Sequence, residues 1–161
     1  MAKFDVETLL KKSHDVIKTN LNNELILIDT EKNDFVMPKI NDNAYFLQNL
    51  NNNVFNYENF VVYGLVSNNE INDNNYNNTL ETIRVGFEVF SYDDGAKESE
   101  NVFYKMLRYS RALKSASQKN FDKIQRGIKF QVRSLEPTQF DLNGRMMRSS
   151  GVIISAAISA E

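Results

Sequence analysis

The sequence predicts one α+β domain, an antiparallel or mixed β-sheet with two main helices packed on one face. Three observations lead there. Two segments repeat apolar residues at helical spacing, and several others alternate apolar and polar residues as strands do. The length, 161 residues and 18.6 kDa, suits a single core. Helices and strands in this order are best satisfied by helices lying on an antiparallel sheet. No internal repeat and no second domain is visible, so residues 1–161 read as one domain.

In chain order, Val6, Leu10, Ile17 and Leu21, with Phe4 and Leu9 beside them, predict an amphipathic helix over about residues 3–21. Asn22-Asn23 weakens it. The run Leu25–Ile28, the polar "DTEKND" and Phe35–Met37 suggest a hairpin, with Pro38 confining its second strand to an edge; extension of the helix is the alternative. Asp29, Glu31 and Asp34 read as turn and solvent residues. Residues 41–59 mix Asn with aromatics and suggest a short helix over about Ala44–Leu50, then irregular chain.

"FVVYGLV" reads as a strand buried on both faces. The Asn-dense "SNNEINDNNYNN" has little to bury, which predicts an exposed loop over about 67–78. In "TLETIRVGFEVFSY" Ile83, Val85, Phe87 and Val89 alternate with Thr82, Arg84 and Glu88, a half-exposed strand. "DDG" ends it, with Asp93-Asp94 capping the turn into a helix over about 98–119. On that helix Val102, Phe103, Met106, Tyr109, Leu113 and Ala116 share one side, and Lys105, Arg108, Arg111, Lys114 and Lys119 the other.

"IKFQVRSL" alternates again, with Ile128, Phe130 and Val132 inward, Lys129, Gln131 and Arg133 outward, and Pro137 as its stop. Asn143-Gly144 is a type I′ turn signal between Phe140–Leu142 and Arg145–Met147, so a β-hairpin arm is expected over about 138–150. Val152, Ile154, Ala156 and Ile158 then alternate with smaller residues in a closing core strand.

Composition excludes several chemistries. There is no Cys, which removes thiolate metal sites, disulfides and cysteine nucleophiles and fits a reducing compartment or a virion. The single histidine, His14, sits at the edge of the first helix's apolar stripe without evident catalytic partners. Neither a nucleophile-elbow pattern nor a phosphate-binding loop occurs, so an enzyme and a cofactor are not expected. The N-terminal residues lack the apolar run of a signal peptide. The final apolar run, Gly151–Ala160, is about half of the ~20 residues that span a bilayer, so no membrane contact is expected.

Charge is split along the chain. Residues 1–100 hold 8 Lys/Arg against 17 Asp/Glu, and residues 101–161 hold 11 against 4. The basic side of the second helix therefore has three readings: a solvated face, a contact with phosphates, or a contact with the acidic part of a neighbouring copy. Net acidity of the whole chain argues against a free-standing nucleic-acid binder.

The stretches "NYENFVVYGLVS", "ETIRVGFEVFSYD", "YKMLRYSRAL", "IKFQVRSLEPTQFD" and "GVIISAAIS", across residues 56–160, resemble in their order and pattern the tail-terminator (tail-completion, neck) proteins of long-tailed bacteriophages. The resemblance implies a structural virion protein that forms a hexameric ring on the tail tube. Such a ring ends tube polymerisation and meets the head connector, and DNA passes through its channel without sequence-specific binding. It implies assembly in the host cytoplasm and residence in the virion tail, with no catalytic residue, cofactor or metal to carry over. The Asn-rich region at 41–59 and the loop at 67–78 depart from the pattern. Another head–tail connector, a tube-related protein and a small nucleic-acid-binding module remain alternatives; a hydrolase would need a carboxylate cleft that the sequence does not offer.

Under this reading the charge split suits a head-to-tail ring contact. Lys105, Arg108, Arg111 and Lys114 are then expected at that interface or on the channel wall. Arg145, Met146, Met147 and Arg148 are expected to stay exposed on the hairpin arm and grip a neighbour.

Overall fold

The computed structural model describes residues 4–47, 56–65, 70–73, 79–92, 99–142 and 144–159. It contains a mixed six-stranded sheet with two long helices on one face. The α+β architecture expected from the sequence is the one found.

Helix α1 spans Val6–Lys32, 27 residues, well beyond Leu21. Asp5 caps its start, its carboxylate accepting from the Thr8 backbone N–H at 2.8 Å. Asn33 ends it in the left-handed conformation (φ 50°). The buried stripe Leu9, Ser13, Val16, Ile17, Leu21, Leu25 and Ile28 is continuous at steps of three and four, so Leu25–Ile28 extends the helix and no hairpin forms there. Asn22 is not a breaker. Its side-chain amide donates to the Ile40 carbonyl and accepts from the Ile40 N–H, both at 2.9 Å, and so holds the returning chain as a strand partner does.

Residues Tyr45–Leu47 form a short strand, β1, where a helix over about Ala44–Leu50 was expected; residues 48–50 lie outside the described residues. β1 runs parallel to β2, Asn59–Leu65. β2 and β3, Glu70–Asp73, pair antiparallel with successive parts of β4, Thr79–Tyr92. Part of the expected loop at 67–78 is therefore strand, because residues 70–73 find backbone partners in residues 79–82. The remainder of that loop and the Asp93-Asp94 turn lie outside the described residues.

Helix α2 spans Ser99–Gln118, and a short turn of helix, α3, spans Phe121–Ile124. β5, Lys129–Leu142, and β6, Arg145–Ser159, then make a long hairpin, turned at Gly144 (φ 79°). Pro137 does not stop β5. The strand lies at the sheet edge, and its register shifts between Leu135 and Thr138, a bulge that accommodates a residue without an N–H.

The sheet order is β1-β2-β4-β6-β5, with β3 beside β4. Val85, Phe87 and Val89 of β4 and Val152, Ile154 and Ala156 of β6 are buried beneath the helices. Each large aliphatic side chain so buried contributes about 1.5–3 kcal/mol. Gly151 sits in the crowded middle of β6. A Cβ there would lie 2.3 Å from the Phe87 carbonyl oxygen, and the Gly151 carbonyl accepts from Ser110 of α2 at 3.1 Å.

The opposite face of the sheet divides in two. Toward the β5–β6 turn, Phe60 stacks on Phe90 at 5.3 Å and Phe140 meets Phe90 edge-on at 5.7 Å. Toward the start of β5, the same face carries Lys129, Gln131 and Arg133, all exposed.

Candidate functional site

Helices α1 and α2 meet through a seam of charge. Arg108 donates to both carboxylate oxygens of Asp34, one bond at 2.8 Å. Arg111 pairs with Glu31 at 2.6 Å and Lys119 with Glu24 at 2.9 Å. Residue numbers rise on α1 as they fall on α2, so the three pairs mark an antiparallel crossing that matches an acidic edge with a basic one.

This placement corrects the expectation for α2. Arg108, assigned to an interface or channel wall, is buried at 8% exposure and held within its own chain. Phe35 lies under its guanidinium at 4.3 Å, and Asp34 holds the opposite charge. The hydrogen bonds from Arg108 hold the Asp34 carboxyl at a pKa of about 2. Arg111 remains half-exposed although paired, and Lys105 and Lys114 are half-buried. Phe103, expected on the apolar side, faces outward instead.

The acidic residues placed in solvent are corrected too. Asp29 accepts from the Met37 backbone N–H at 2.8 Å and from Lys39. With Tyr109, whose phenol donates to the Pro38 carbonyl at 2.7 Å, it clamps residues 37–39 against the helix layer.

The hairpin arm also departs from expectation. β6 pairs with β4 as far as Met147 opposite Tyr92, so much of residues 138–150 is sheet. Met147 is fully buried and Ser149 and Ser150 nearly so. Arg145 is exposed as expected, its guanidinium 3.5 Å over the Tyr92 ring, whereas Arg148 is half-buried. Met146 alone of the Met pair stays exposed, because successive strand residues face opposite ways.

The helix layer presents a surface that the sequence did not single out. Ile26 and Leu27 of α1, Val36 just after it, and Phe103, Tyr104 and Leu107 of α2 are 43% to 77% exposed. Tyr104 and Leu107 line a groove of about 480 Å³ with Lys32, Asp34, Arg108 and Arg111. The signal was present as apolar residues off the main stripe of each helix. Exposed large apolar side chains such as Tyr104 and Leu107 beside a groove favour a protein partner over solvent.

His14 packs face to face on Tyr63 of β2 at 4.5 Å, with Tyr45 of β1 at 5.9 Å. Burial lowers its pKa below 6.5, opposed by Asp15 and assisted by Lys18. Its Nε2 is buried without a hydrogen-bond partner. The ring joins α1 to the β1–β2 edge by packing. Among the described residues no group of three or more His, Asp or Glu could hold a metal ion, and no helix is long and apolar enough to cross a membrane. No protein-family model matches this chain, and no curated protein matches it.

Proposed function

We propose that this chain is a structural virion protein. It forms a hexameric ring at the head-proximal end of a phage tail, ends tube polymerisation and joins the tail to the head connector. In this reading it performs no chemistry and binds no cofactor. The supporting observation is the apolar surface of the helix layer, Ile26, Leu27, Val36, Phe103, Tyr104 and Leu107. A subunit that completes its surface only on assembly would carry exposed large apolar side chains of this kind on its contact face. The resemblance of residues 56–160 to tail-terminator proteins supplies the particular assembly.

The contact differs in kind from the one that charge alone suggests. Arg108, Arg111 and Lys119 are matched by Asp34, Glu31 and Glu24 of the same chain, so a ring contact through α2 is apolar, with charge at its rim. Size-exclusion chromatography with light scattering, on the free protein and on protein mixed with tail tubes, tests the reading. A mass near six copies in either sample supports it. A monomer in both samples, with no effect on tube length, overturns it.

A further inference from the structure

Arg108, Arg111 and Lys119 are matched by Asp34, Glu31 and Glu24, yet the C-terminal part of the chain keeps a strongly basic balance. Four of its other cations, Lys129, Arg133, Arg145 and Arg148, lie on the sheet. Lys129, Gln131 and Arg133 are exposed on edge strand β5, and alternation puts all three on the face away from the helices. Across the sheet, Gln131 opposes Ser155 of β6, which opposes Arg84 of β4. The three residues of each strand form a block in register, and no position in it is acidic. Arg126 is exposed in the turn just before β5.

Among the described residues, the side chains of Arg126, Lys129 and Arg133 make no hydrogen bond or ion pair. Lys129 and Arg133 are four strand residues apart, about 13 Å. Two glutamates border the block: Glu88 of β4, half-buried with its pKa raised by burial, and Glu70 of β3, in register opposite Thr82. Among the residues whose side chains are described, the large exposed apolar ones that could anchor protein partners lie on the helix layer, on β1 and at Met146 rather than on this face. A flat, positive, apolar-poor surface fits a phosphate backbone, whose contacts need charge at intervals and no pockets.

We infer that the open sheet face at Lys129 and Arg133, with Arg126 in the turn before it, is a nucleic-acid contact surface that holds duplex DNA by its phosphates, without reading sequence. The inference stands apart from the ring reading, since a monomer with this face binds DNA as well. The negative net charge of the chain makes the contact weak and sensitive to salt.

Fluorescence anisotropy with a labelled 30-bp duplex of mixed sequence tests it. Engagement of about three phosphates predicts a log K against log salt slope of about −3, a loss of roughly 50-fold between 50 and 200 mM salt. K129Q/R133Q should flatten the slope by about 2 and weaken binding at least tenfold, with an unchanged circular dichroism spectrum. K105Q/K114Q, on α2, should bind as the parent does. No binding at 50 mM salt overturns the inference, as does equal weakening of the two double variants. Competition by poly-glutamate as strong as by DNA also overturns it and points to an acidic protein surface. Light scattering on K129Q/R133Q separates the two proposals, because this variant should keep the parent's oligomeric state.

Discussion

Arg108 of α2 and Asp34, just beyond the end of α1, form a two-pronged ion pair, with Phe35 stacked beneath the guanidinium. Arg108 is nearly buried, whereas its carboxylate partner remains half-exposed. The pair fixes where the chain leaving α1 crosses α2.

Arg108→Ala should lower the thermal midpoint by roughly 2–4 °C, losing both the pair and the packing on Phe35. The sign of the acid dependence follows from the depressed Asp34 pKa, about 2 against an ordinary 3.8. Its contribution to stability is complete above pH 3.8 and is lost as pH falls through 2. Asp34→Asn should therefore be less stable near neutrality and show a shallower decline between those values. Urea unfolding across pH 2 to 5 measures this; parallel curves for parent and variant would remove the pair from the account.

His14 is the only histidine, so an imidazole resonance titrating in this protein belongs to it. Burial against Tyr63 and Tyr45 should give it a pKa below 6.5 by NMR. The folded form prefers the neutral ring, so its contribution is complete above pH 6.5 and declines as pH falls through the lowered folded pKa. His14→Phe keeps the stacking and should abolish that part of the pH dependence. A measured pKa above 6.5 would contradict the packing described for this ring.

Gly151→Ala probes the centre of the sheet. The added methyl meets a backbone oxygen of β4 at 2.3 Å and the Glu88 side chain at 2.9 Å, and the backbone contact has no rotamer with which to yield. Chemical denaturation should show a loss of about 2–3 kcal/mol. A change below about 0.5 kcal/mol would mean that β4 and β6 separate there more easily than their register implies.

Tyr109→Phe removes one buried hydroxyl and leaves the packing in place. The Pro38 carbonyl loses its donor, and the expected loss is about 1 kcal/mol by equilibrium unfolding. A neutral result would mean that water replaces the phenol at this partly exposed carbonyl.

These outcomes rest on parts of the fold that were unequally legible. Alternation in β4 and β6 gave the buried set directly, because Val85, Phe87, Ile154 and Ala156 leave one side no polar option. Helix α2 was legible for the same reason at helical period. The end of α1 was not, since Asn22-Asn23 looks like a break until Ile40 returns to bond with Asn22. Pro137 misleads in the same way, because only sheet order shows that β5 is an edge. The basic side of α2 was readable as a pattern, but its partners at Glu24, Glu31 and Asp34 follow from the antiparallel crossing of the helices, a tertiary fact. Likewise Arg84, Lys129 and Arg133 each read as outward, and only strand order unites them.

The apolar helix layer offers the sharpest test of assembly. Reversing charge at Arg108 and Arg111 together would confuse unfolding with loss of contact, since Arg108 holds its own chain. Phe103 and Leu107 are 44% and 43% exposed and lie one helical turn apart, so acidic substitutions there spare the core. F103D/L107D should keep the parent's thermal midpoint within a few degrees and yield monomer under conditions where the parent forms rings. Complementation of a tail-assembly reaction should fall with it, giving overlong or unjoined tails. A folded F103D/L107D variant that still assembles at parental concentration would place the ring contact elsewhere on the molecule. Arg111→Glu, at a half-exposed pair on the rim of the same groove, should shift the salt dependence of assembly more than its extent.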